Sequence, residues 1–186
     1  RAPTTRAPAT RAPTTRASTP SAPSARGAEL ARSWRNGALR NGRRWLPQLW
    51  PWLRRAEEEA TAAGRAVLQA GRRLVVAERR TFRGSCWTFA DGVYAEAGVL
   101  RRDRRRVYSA KSSGPYADPS LIEAGDFLSF INLSYRANPH SAIFVMWLDR
   151  AAREALMLSY VGGRRVRPGG YRSYNLSRVY RVQRGR

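Results

Sequence analysis

The chain has 186 residues, enough for one ordinary domain with appendages, and a formal net charge of +22 that comes almost wholly from arginine. Such a charge favours polyanionic partners such as nucleic acid, anionic lipid headgroups or acidic cell-wall polymers, although the codon usage of a GC-rich genome also supplies arginine. A single cysteine excludes an internal disulfide framework, and with only one histidine beside it the composition argues against a zinc site. No apolar run approaches the roughly 18–20 residues of a membrane span. A glycine-rich phosphate loop and a metal-ligand cluster are absent as well, so we expect no metal and no cofactor.

Residues 1–27 repeat the pattern Arg-Ala-Pro-Thr. Proline disfavours both helix and sheet, and no large apolar side chain is available for burial. We therefore expect this segment to be a disordered, polyproline-like linker. The alternative is that its evenly spaced arginines hold it on an anionic surface.

Residues 28–52 combine tryptophan with arginine and contain Pro47 and Pro51, which we expect to stop any long helix. Indole rings beside guanidinium groups suit a membrane–water interface, where the ring lies at the level of the headgroups. The same side chains suit a strap that packs on the folded domain, and the sequence leaves both interpretations open. The tryptophans of this segment are Trp34, Trp45, Trp50 and Trp52.

From Leu53 to about Arg80, apolar residues recur at alternating steps of three and four, which is typical of an amphipathic helix. Glutamates at its start and arginines at its end match the helix dipole, while Gly64 and Gly71 weaken it. Residues 28–80 are therefore predicted to contain the Trp/Arg-rich segment and one long helix. The many alanines in the apolar stripe of this helix allow another helix or a sheet to approach closely. The stripe consists of Leu53, Ala56, Ala60, Ala63, Val67, Ala70, Leu74 and Ala77.

Residues 81–186 contain the patterns of a compact domain. A short helix begins at Cys86 and ends at Gly98, and the tyrosines near the end of the chain accompany strand patterns, so we expect them to pack in a sheet. Strand patterns this close in sequence predict an antiparallel sheet with the Cys86 helix packed on it, which is an α+β domain. The predicted strands are 126–131, 141–149, 154–161 and 177–184, and the tyrosines are Tyr171, Tyr174 and Tyr180.

The segments between these elements have simpler interpretations. The run RRDRRR at 101–106 is interpreted as an exposed, solvated stretch. The functional alternative is that these arginines bind phosphates or similar anions. A hairpin turn is expected at 150–153, and a Gly/Arg-rich loop at 162–170.

Cys86 and His140 are the candidate pair for nucleophilic chemistry. A thiolate, not a thiol, attacks a carbonyl carbon, and the free N–H groups at a helix N-terminus or a nearby imidazolium stabilise it. The N–H groups of Cys86 and Trp87 are the candidates to hold the oxyanion of the tetrahedral intermediate. Gly84 allows a tight turn before the nucleophile. The simpler interpretation of a lone cysteine is a small buried apolar residue.

Three stretches together resemble a known family. SCWTFADGVYAEAG (85–98), IEAGDFLSF (122–130) and PHSAIFVMW (139–147) are similar in order and spacing to the NlpC-type branch of the papain-like cysteine peptidases and to the related CHAP amidases. The resemblance runs from Gly84 to roughly Arg184. It implies a papain-like core, no cofactor, and hydrolysis of an amide bond in the stem peptides of peptidoglycan.

The resemblance also implies roles for single residues. Cys86 would be the nucleophile, His140 the base, and Gly125 with Asp126 the turn that opens the first core strand. The residue type of Asp126 suits a structural role there, because its side chain can bond to the backbone of the turn. Ser85 departs from the family, since many members carry aspartate before the nucleophile.

The third catalytic position, which orients the histidine in NlpC-type enzymes, has no residue of the expected type on the corresponding strand of this sequence. NlpC-type enzymes orient the histidine with His, Asn or Gln on the following strand, and pairing across the turn at 150–153 places Ser159 or Tyr160 there. A hydroxyl can accept the imidazole N–H, so Ser159 is the candidate. Asn132 and Asn138 are alternatives from the neighbouring loop.

The partner expected from the resemblance is peptidoglycan or another peptide substrate, which implies a periplasmic or cell-surface location without excluding the cytoplasm. The Arg/Trp segments offer contact with an anionic polymer or a membrane surface. The main alternative function is a catalytically degenerate papain-like domain that acts as a basic module binding a polyanion, nucleic acid or a membrane surface, with nucleic acid the less favoured partner.

Overall fold

A computed structural model describes residues 46–160 and 163–186, so the expectations for 1–27, Trp34 and Trp45 lie outside the described residues. No helix in the described part of the chain is long and apolar enough to cross a membrane. The helices are α1 (Leu46–Glu59), α2 (Ala62–Arg72), which continues into a π-helical turn (Arg73–Ala77), and α3 (Cys86–Glu96), with short 3₁₀ turns at Arg101–Asp103 and Pro119–Leu121.

The single long helix expected from Leu53 to Arg80 is wrong, because the chain breaks between α1 and α2. Thr61 has an extended ψ of 163°, and its Oγ1 accepts the N–H of Gly64 at 3.2 Å, which caps the new helix. The expectation that proline would stop a helix is also wrong at Pro51, which lies inside α1. Pro51 lies near the start of α1, where the first N–H groups have no intrahelical partner. Its missing N–H therefore removes only one hydrogen bond of the helix.

The strands in the described residues form two antiparallel sheets, one of six strands and one of two. The predicted α+β class with an antiparallel sheet is confirmed. The strands are β1 (Thr81–Gly84), β2 (Arg104–Ser109), β3 (Phe127–Asn132), β4 (Asn138–Asp149), β5 (Glu154–Ser159), β6 (Gly163–Pro168), β7 (Gly170–Asn175) and β8 (Val179–Gly185). The six-stranded sheet has the order β2-β8-β3-β4-β5-β7, and β1 pairs with β6 in the two-stranded sheet.

Two stretches differ from the sequence-based expectation. The predicted loop at 162–170 contains β6 and the first residue of β7, because a partner strand far away in sequence, β1, pairs with β6. The arginine run at 101–106 is only partly solvated. Arg104 has a side chain that is 4% exposed and bonds to Asp91 at 2.7 Å, and its guanidinium lies 4.5 Å above the ring of Tyr94.

The sheet has an apolar core on each face. Ile143 and Val145 of β4 face the core shared with the helices, while Ala142 and Phe144 face a second core on the opposite side. Buried residues from all the helices join the first core, among them Leu53, Val67, Leu74, Phe89, Val93 and Tyr94.

Helix α2 approaches the sheet closely at its glycines. A Cβ on Gly71 would lie 2.1 Å from Leu158 Cδ2, so only glycine lets α2 rest on β5 at this point. Gly64 faces Gly125, whose φ is +92° and whose added Cβ would lie 2.4 Å from the Cα of Gly64. The two glycines that weaken the helix locally are therefore the positions that let it pack.

The tryptophan-containing helix α1 also packs on the domain. Leu49 and Leu53 are buried, while Trp50 is 40% exposed and lies beneath the guanidinium of Arg72 at 4.9 Å. Arg72 also forms a bidentate pair with Glu57, so this end of α1 is fixed to α2.

Candidate active site

Cys86 is the first residue of α3 and its side chain is partly exposed. Ser85 caps the helix, because its Oγ accepts the N–H of Thr88 at 3.1 Å. Gly84 precedes the cap with φ of +111°, a backbone conformation that side-chain-bearing residues rarely adopt. The N–H groups of Cys86 and Trp87 have no partner within the helix, so they can bind an anionic group beside the sulfur.

Aromatic packing fixes the first turn of α3 to the end of β5. The ring of Phe89 stacks on Tyr160 with centroids 5.8 Å apart, and Phe82 meets Phe89 edge-on at 4.7 Å. The hydroxyl of Tyr160 donates to the carbonyl of Phe82 at 2.8 Å. Gly169 lies so close to Phe89 that a Cβ there would be 2.4 Å from the ring. The start of α3 therefore lies at the corner where β5 ends and β7 begins.

His140 lies near the start of β4, opposite Phe130 of β3. Its ring meets Phe130 edge-on at 5.5 Å and lies 5.1 Å from the ring of Tyr174. Its Nε2 is 2.9 Å from the Oγ of Ser159, which leaves Nδ1 as the ring nitrogen for another partner. The structure thus brings His140 and Ser159 into direct contact.

Ser159 connects the histidine to a tyrosine. Its Oγ lies 2.9 Å from the hydroxyl of Tyr174 as well as 2.9 Å from the imidazole, and its side chain is fully buried. When Nε2 carries the proton it donates to Ser159, and the serine hydroxyl can then donate to Tyr174. We call this chain of His140, Ser159 and Tyr174 the His140 cluster.

The alternatives to Ser159 lie elsewhere. Tyr160 faces the helices, as its stacking on Phe89 requires. Asn132 and Asn138 pair with each other at the far end of the β3–β4 hairpin, and the Oδ1 of Asn132 accepts the N–H of Ser134.

Sequence reasoning missed the part that Tyr174 plays, because it treated this tyrosine as sheet packing. The available signal was the Gly169–Gly170 pair, which marks the turn before β7. Pairing β7 with β5 then places Gly170 opposite Ser159 and Tyr174 on the same face.

The electrostatics keep the cluster neutral. Burial and, to a lesser extent, the nearby charge of Arg172 lower the pKa of His140 to about 4. Burial raises the pKa of Tyr174, so its hydroxyl is protonated at neutral pH. His140 is therefore an uncharged base at pH 7, able to accept a proton.

Cys86 is linked to this cluster through Tyr174, because a negative charge on the sulfur contributes to the raised pKa of that tyrosine. Within residues 46–160 and 163–186, no hydrogen bond joins the sulfur to His140. Cys86 begins α3, which packs in the first core, whereas the His140 cluster lies on the face of the second core.

Gly125 and Asp126 form the turn before β3. The carboxylate of Asp126 accepts the N–H of Glu123 at 2.8 Å and a bidentate bond from Arg184 at 2.7 and 2.8 Å. The hydroxyl of Tyr94 in α3 donates to the carbonyl of Gly125 at 2.6 Å. This turn fixes the far end of α3 to the sheet.

Within the described residues, no three His, Cys, Asp or Glu side chains come together in a way that could hold a metal ion. Comparisons of the chain with models of protein families, with curated proteins and with solved structures give no match.

Proposed function

We propose that this protein is a cysteine hydrolase with a papain-like core that cleaves amide bonds, with Cys86 as the nucleophile and His140 as the base. The observation that carries the proposal is the corner between α3 and β5. There a partly exposed thiol at a capped helix N-terminus is anchored beside the strand end that holds Ser159 and, through it, His140.

In the proposed reaction, Nδ1 of His140 takes the proton of the Cys86 thiol as the sulfur attacks the carbonyl carbon of the substrate. The oxyanion that forms is held by the N–H groups of Cys86 and Trp87. The imidazolium then gives its proton to the leaving amine, and a thioester remains on the sulfur. Water activated by His140 hydrolyses the thioester and restores the free thiol.

Ser159 is proposed as the residue that orients the base. Its buried Oγ accepts the Nε2 proton of His140 and so keeps the lone pair of Nδ1 free for the thiol. A hydroxyl brings no charge, in contrast to the carboxylate of many triads, so it leaves the imidazole weakly basic. This agrees with the lowered pKa of His140.

The proposed substrate is a stem peptide of peptidoglycan, on the strength of the resemblance of the Cys86, Gly125–Asp126 and His140 segments to the NlpC-type enzymes. A periplasmic or cell-surface location follows from that substrate.

The test is the rate at which iodoacetamide alkylates Cys86 between pH 5 and pH 9, together with hydrolysis of stem-peptide substrates. A neutral base beside the thiol gives an alkylation rate that is already high and nearly flat from about pH 5 to pH 7. In His140→Gln the rate should rise only toward the ordinary thiol pKa of about 8.5. Cys86→Ala should lose hydrolysis by about 10³-fold or more.

Arg136→Gln is the matched control, because Arg136 is an exposed residue of the β3–β4 loop and should change neither rate. Identical alkylation profiles for the wild type and His140→Gln would overturn the assignment of His140 as the base. Hydrolysis that survives in Cys86→Ala would overturn the assignment of the nucleophile.

A second candidate function is binding of an acidic polymer, with nucleic acid as the less favoured ligand. The observation in its favour is a group of exposed arginines on β2 and β8, namely Arg105, Arg106 and Arg181. Affinity for a polyanion such as heparin that falls steeply with salt, and is unchanged in Cys86→Ala, would support this function.

A further inference from the structure

A groove with a volume of about 560 Å³ lies between α1, α2 and the end of α3. Its floor consists of small apolar side chains four and seven positions apart along α2 and its π-helical turn, so they share one face. Small side chains on one face let another helix approach closely, because no large side chain holds the two backbones apart. These side chains are Ala66, Ala70 and Ala77, and Ala97 at the end of α3 extends the floor.

The charged side chains at the rim of the groove already have partners. Arg72 forms its bidentate pair with Glu57, and Arg73 pairs with Glu78 and Glu96. A small charged ligand therefore finds no free charge among them to fix its orientation, as the polar groups of a ligand pocket do. The groove instead suits an occupant that brings apolar side chains.

Trp50 of α1 forms one wall of the groove. It is 40% exposed although Leu49 and Leu53 beside it are buried, and large apolar side chains exposed beside a groove commonly mark a contact surface. Trp50 lies four residues after Leu46, the first residue of α1, which is about 6 Å along the helix axis. The residues that precede α1 therefore join the domain within about one turn of the groove.

The sequence that precedes α1 carries a matching pattern. Between residues 28 and 40, apolar side chains recur at steps of three and four, which predicts one apolar stripe on a helix. Asn41 and Gly42 follow, a dipeptide that favours a turn, so the stripe can fold back beside α1. The stripe consists of Leu30, Ala31, Trp34 and Ala38.

We propose that residues 28–40 dock in this groove as a strap, with the indole of Trp34 on the alanines of α2 beside Trp50. A bulky ring over small side chains gives the close, complementary packing that two helix faces need. The first part of the Trp/Arg-rich segment then packs on the domain as α1 does, instead of lying in a membrane–water interface. This docking is independent of the proposed hydrolysis.

Limited digestion of the full chain with trypsin, read by mass spectrometry, tests the docking. Arg32 and Arg35 flank Trp34, while Arg11 and Arg16 lie in the Arg-Ala-Pro-Thr repeat and serve as the internal reference. Each cleavage rate is divided by the rate at the same bond in a synthetic peptide of residues 10–45. We expect cleavage after Arg32 and Arg35 to be about tenfold slower than at the reference bonds, because a docked segment must open before the protease can bind it.

Three variants make the digestion specific. Ala66→Glu places a larger, charged side chain in the groove and Trp34→Ser removes the indole, so each should bring the four normalised rates together. Ala62→Glu is the matched control, because Ala62 is an exposed residue of α2 outside the groove, and its protection should equal that of the wild type. Circular dichroism checks that each variant folds. Equal rates at the four bonds in the wild type, or protection that persists in both Ala66→Glu and Trp34→Ser, would overturn the docking.

The same digestion distinguishes two other arrangements. Protection that falls when the protein is diluted would mean that the segment docks on a second copy of the chain, which would overturn docking within one molecule. Protection that appears only with vesicles of phosphatidylglycerol and phosphatidylethanolamine, and is the same in Ala66→Glu, would place the stripe on a membrane surface and overturn the docking as well.

Discussion

The same six-stranded sheet carries two buried polar clusters whose charges are balanced in different ways. At the start of β3, Asp126 is fully buried and Arg184 is 7% exposed, and the two form a bidentate ion pair. Arg184 also donates to the carbonyl of Leu121 and pairs with Glu123. We call these four residues the Asp126 cluster, and every charge in it has a partner.

The His140 cluster is the opposite case. Its base, its serine and its tyrosine are all neutral at pH 7, and burial is the main cause of the lowered pKa of His140 and the raised pKa of Tyr174. Its hydrogen bonds run from His140 through Ser159 and end at the hydroxyl of Tyr174.

The difference fits the proposed function, in which the Asp126 cluster stabilises the fold and the His140 cluster acts on a ligand. A fully compensated ion pair gains nothing from a further charge, whereas a neutral base can accept a proton from a ligand. Under that proposal, catalysis belongs to the end of β5 and stability to the start of β3.

The largest expected effect is on stability, in Asp126→Asn. This change leaves the buried guanidinium of Arg184 without its main counterion, and breaking one half of a buried pair costs about 3 kcal/mol or more of the free energy of unfolding. Urea denaturation followed by circular dichroism measures this cost. The hydrolytic rate per folded molecule should stay within about twofold of the wild type, because the cluster lies away from Cys86.

Glu123→Gln is the matched control for that substitution. Glu123 pairs with the same guanidinium but is 49% exposed, so its loss should cost less than about 1 kcal/mol. Equal stability of the two variants would show that the buried pair of Asp126 and Arg184 does not stabilise the fold more than the exposed Glu123 does.

The next effect is a loss of stability in mild acid that comes from His140. Because the folded protein lowers the pKa of His140 to about 4, while the unfolded chain binds the proton near pH 6.5, protonation favours unfolding. Stability from this source is complete above about pH 6.5 and declines as the pH falls to about 4. The decline amounts to on the order of 3 kcal/mol.

Carboxylates also titrate in this pH range, so the contribution of His140 is measured as the difference between the wild type and a variant without the histidine. Urea denaturation of the wild type and His140→Gln at pH 7, 5.5 and 4.5 should show the wild type losing more stability, because glutamine can bond to Ser159 but takes no proton. Parallel losses in the two proteins would mean that His140 is solvated and that its cluster is not neutral.

The sequence was most informative where the signal is local. The start of α3 at Cys86 follows from Gly84 and Ser85, whose backbone freedom and capping hydroxyl act within a few residues of the cysteine. The strand patterns and the turn at 150–153 likewise suffice to predict that Ser159 comes near His140, since pairing across a short hairpin fixes the register.

Contacts between distant segments could not be predicted in this way. The close approach of Gly64 to Gly125 and the burial of Arg104 beside Asp91 each join residues of different elements. Strand β6 forms because β1 is there to pair with it, although its own Gly/Arg sequence favours a loop. The positions of Tyr174 and Arg172 on β7 depend on the same Gly/Arg-rich segment, whose composition favours a loop. The sequence therefore did not predict that either residue lies on the same face as Ser159.

The smallest effect is expected from Tyr174→Phe, which tests directly whether the His140 cluster serves the reaction or the fold. Its hydroxyl is the last member of the His140 cluster, so its removal leaves Ser159 with the imidazole as its sole partner within the cluster and loosens the orientation of the base. We expect kcat/KM to fall about tenfold and stability to fall by about 1 kcal/mol. Tyr108→Phe removes a tyrosine hydroxyl that bonds to the carbonyl of Pro115 at 2.7 Å on β2, the opposite edge strand. It should cost a similar amount of stability and no activity, so equal activity losses in the two variants would show that the hydroxyl of Tyr174 supports the fold and not the base.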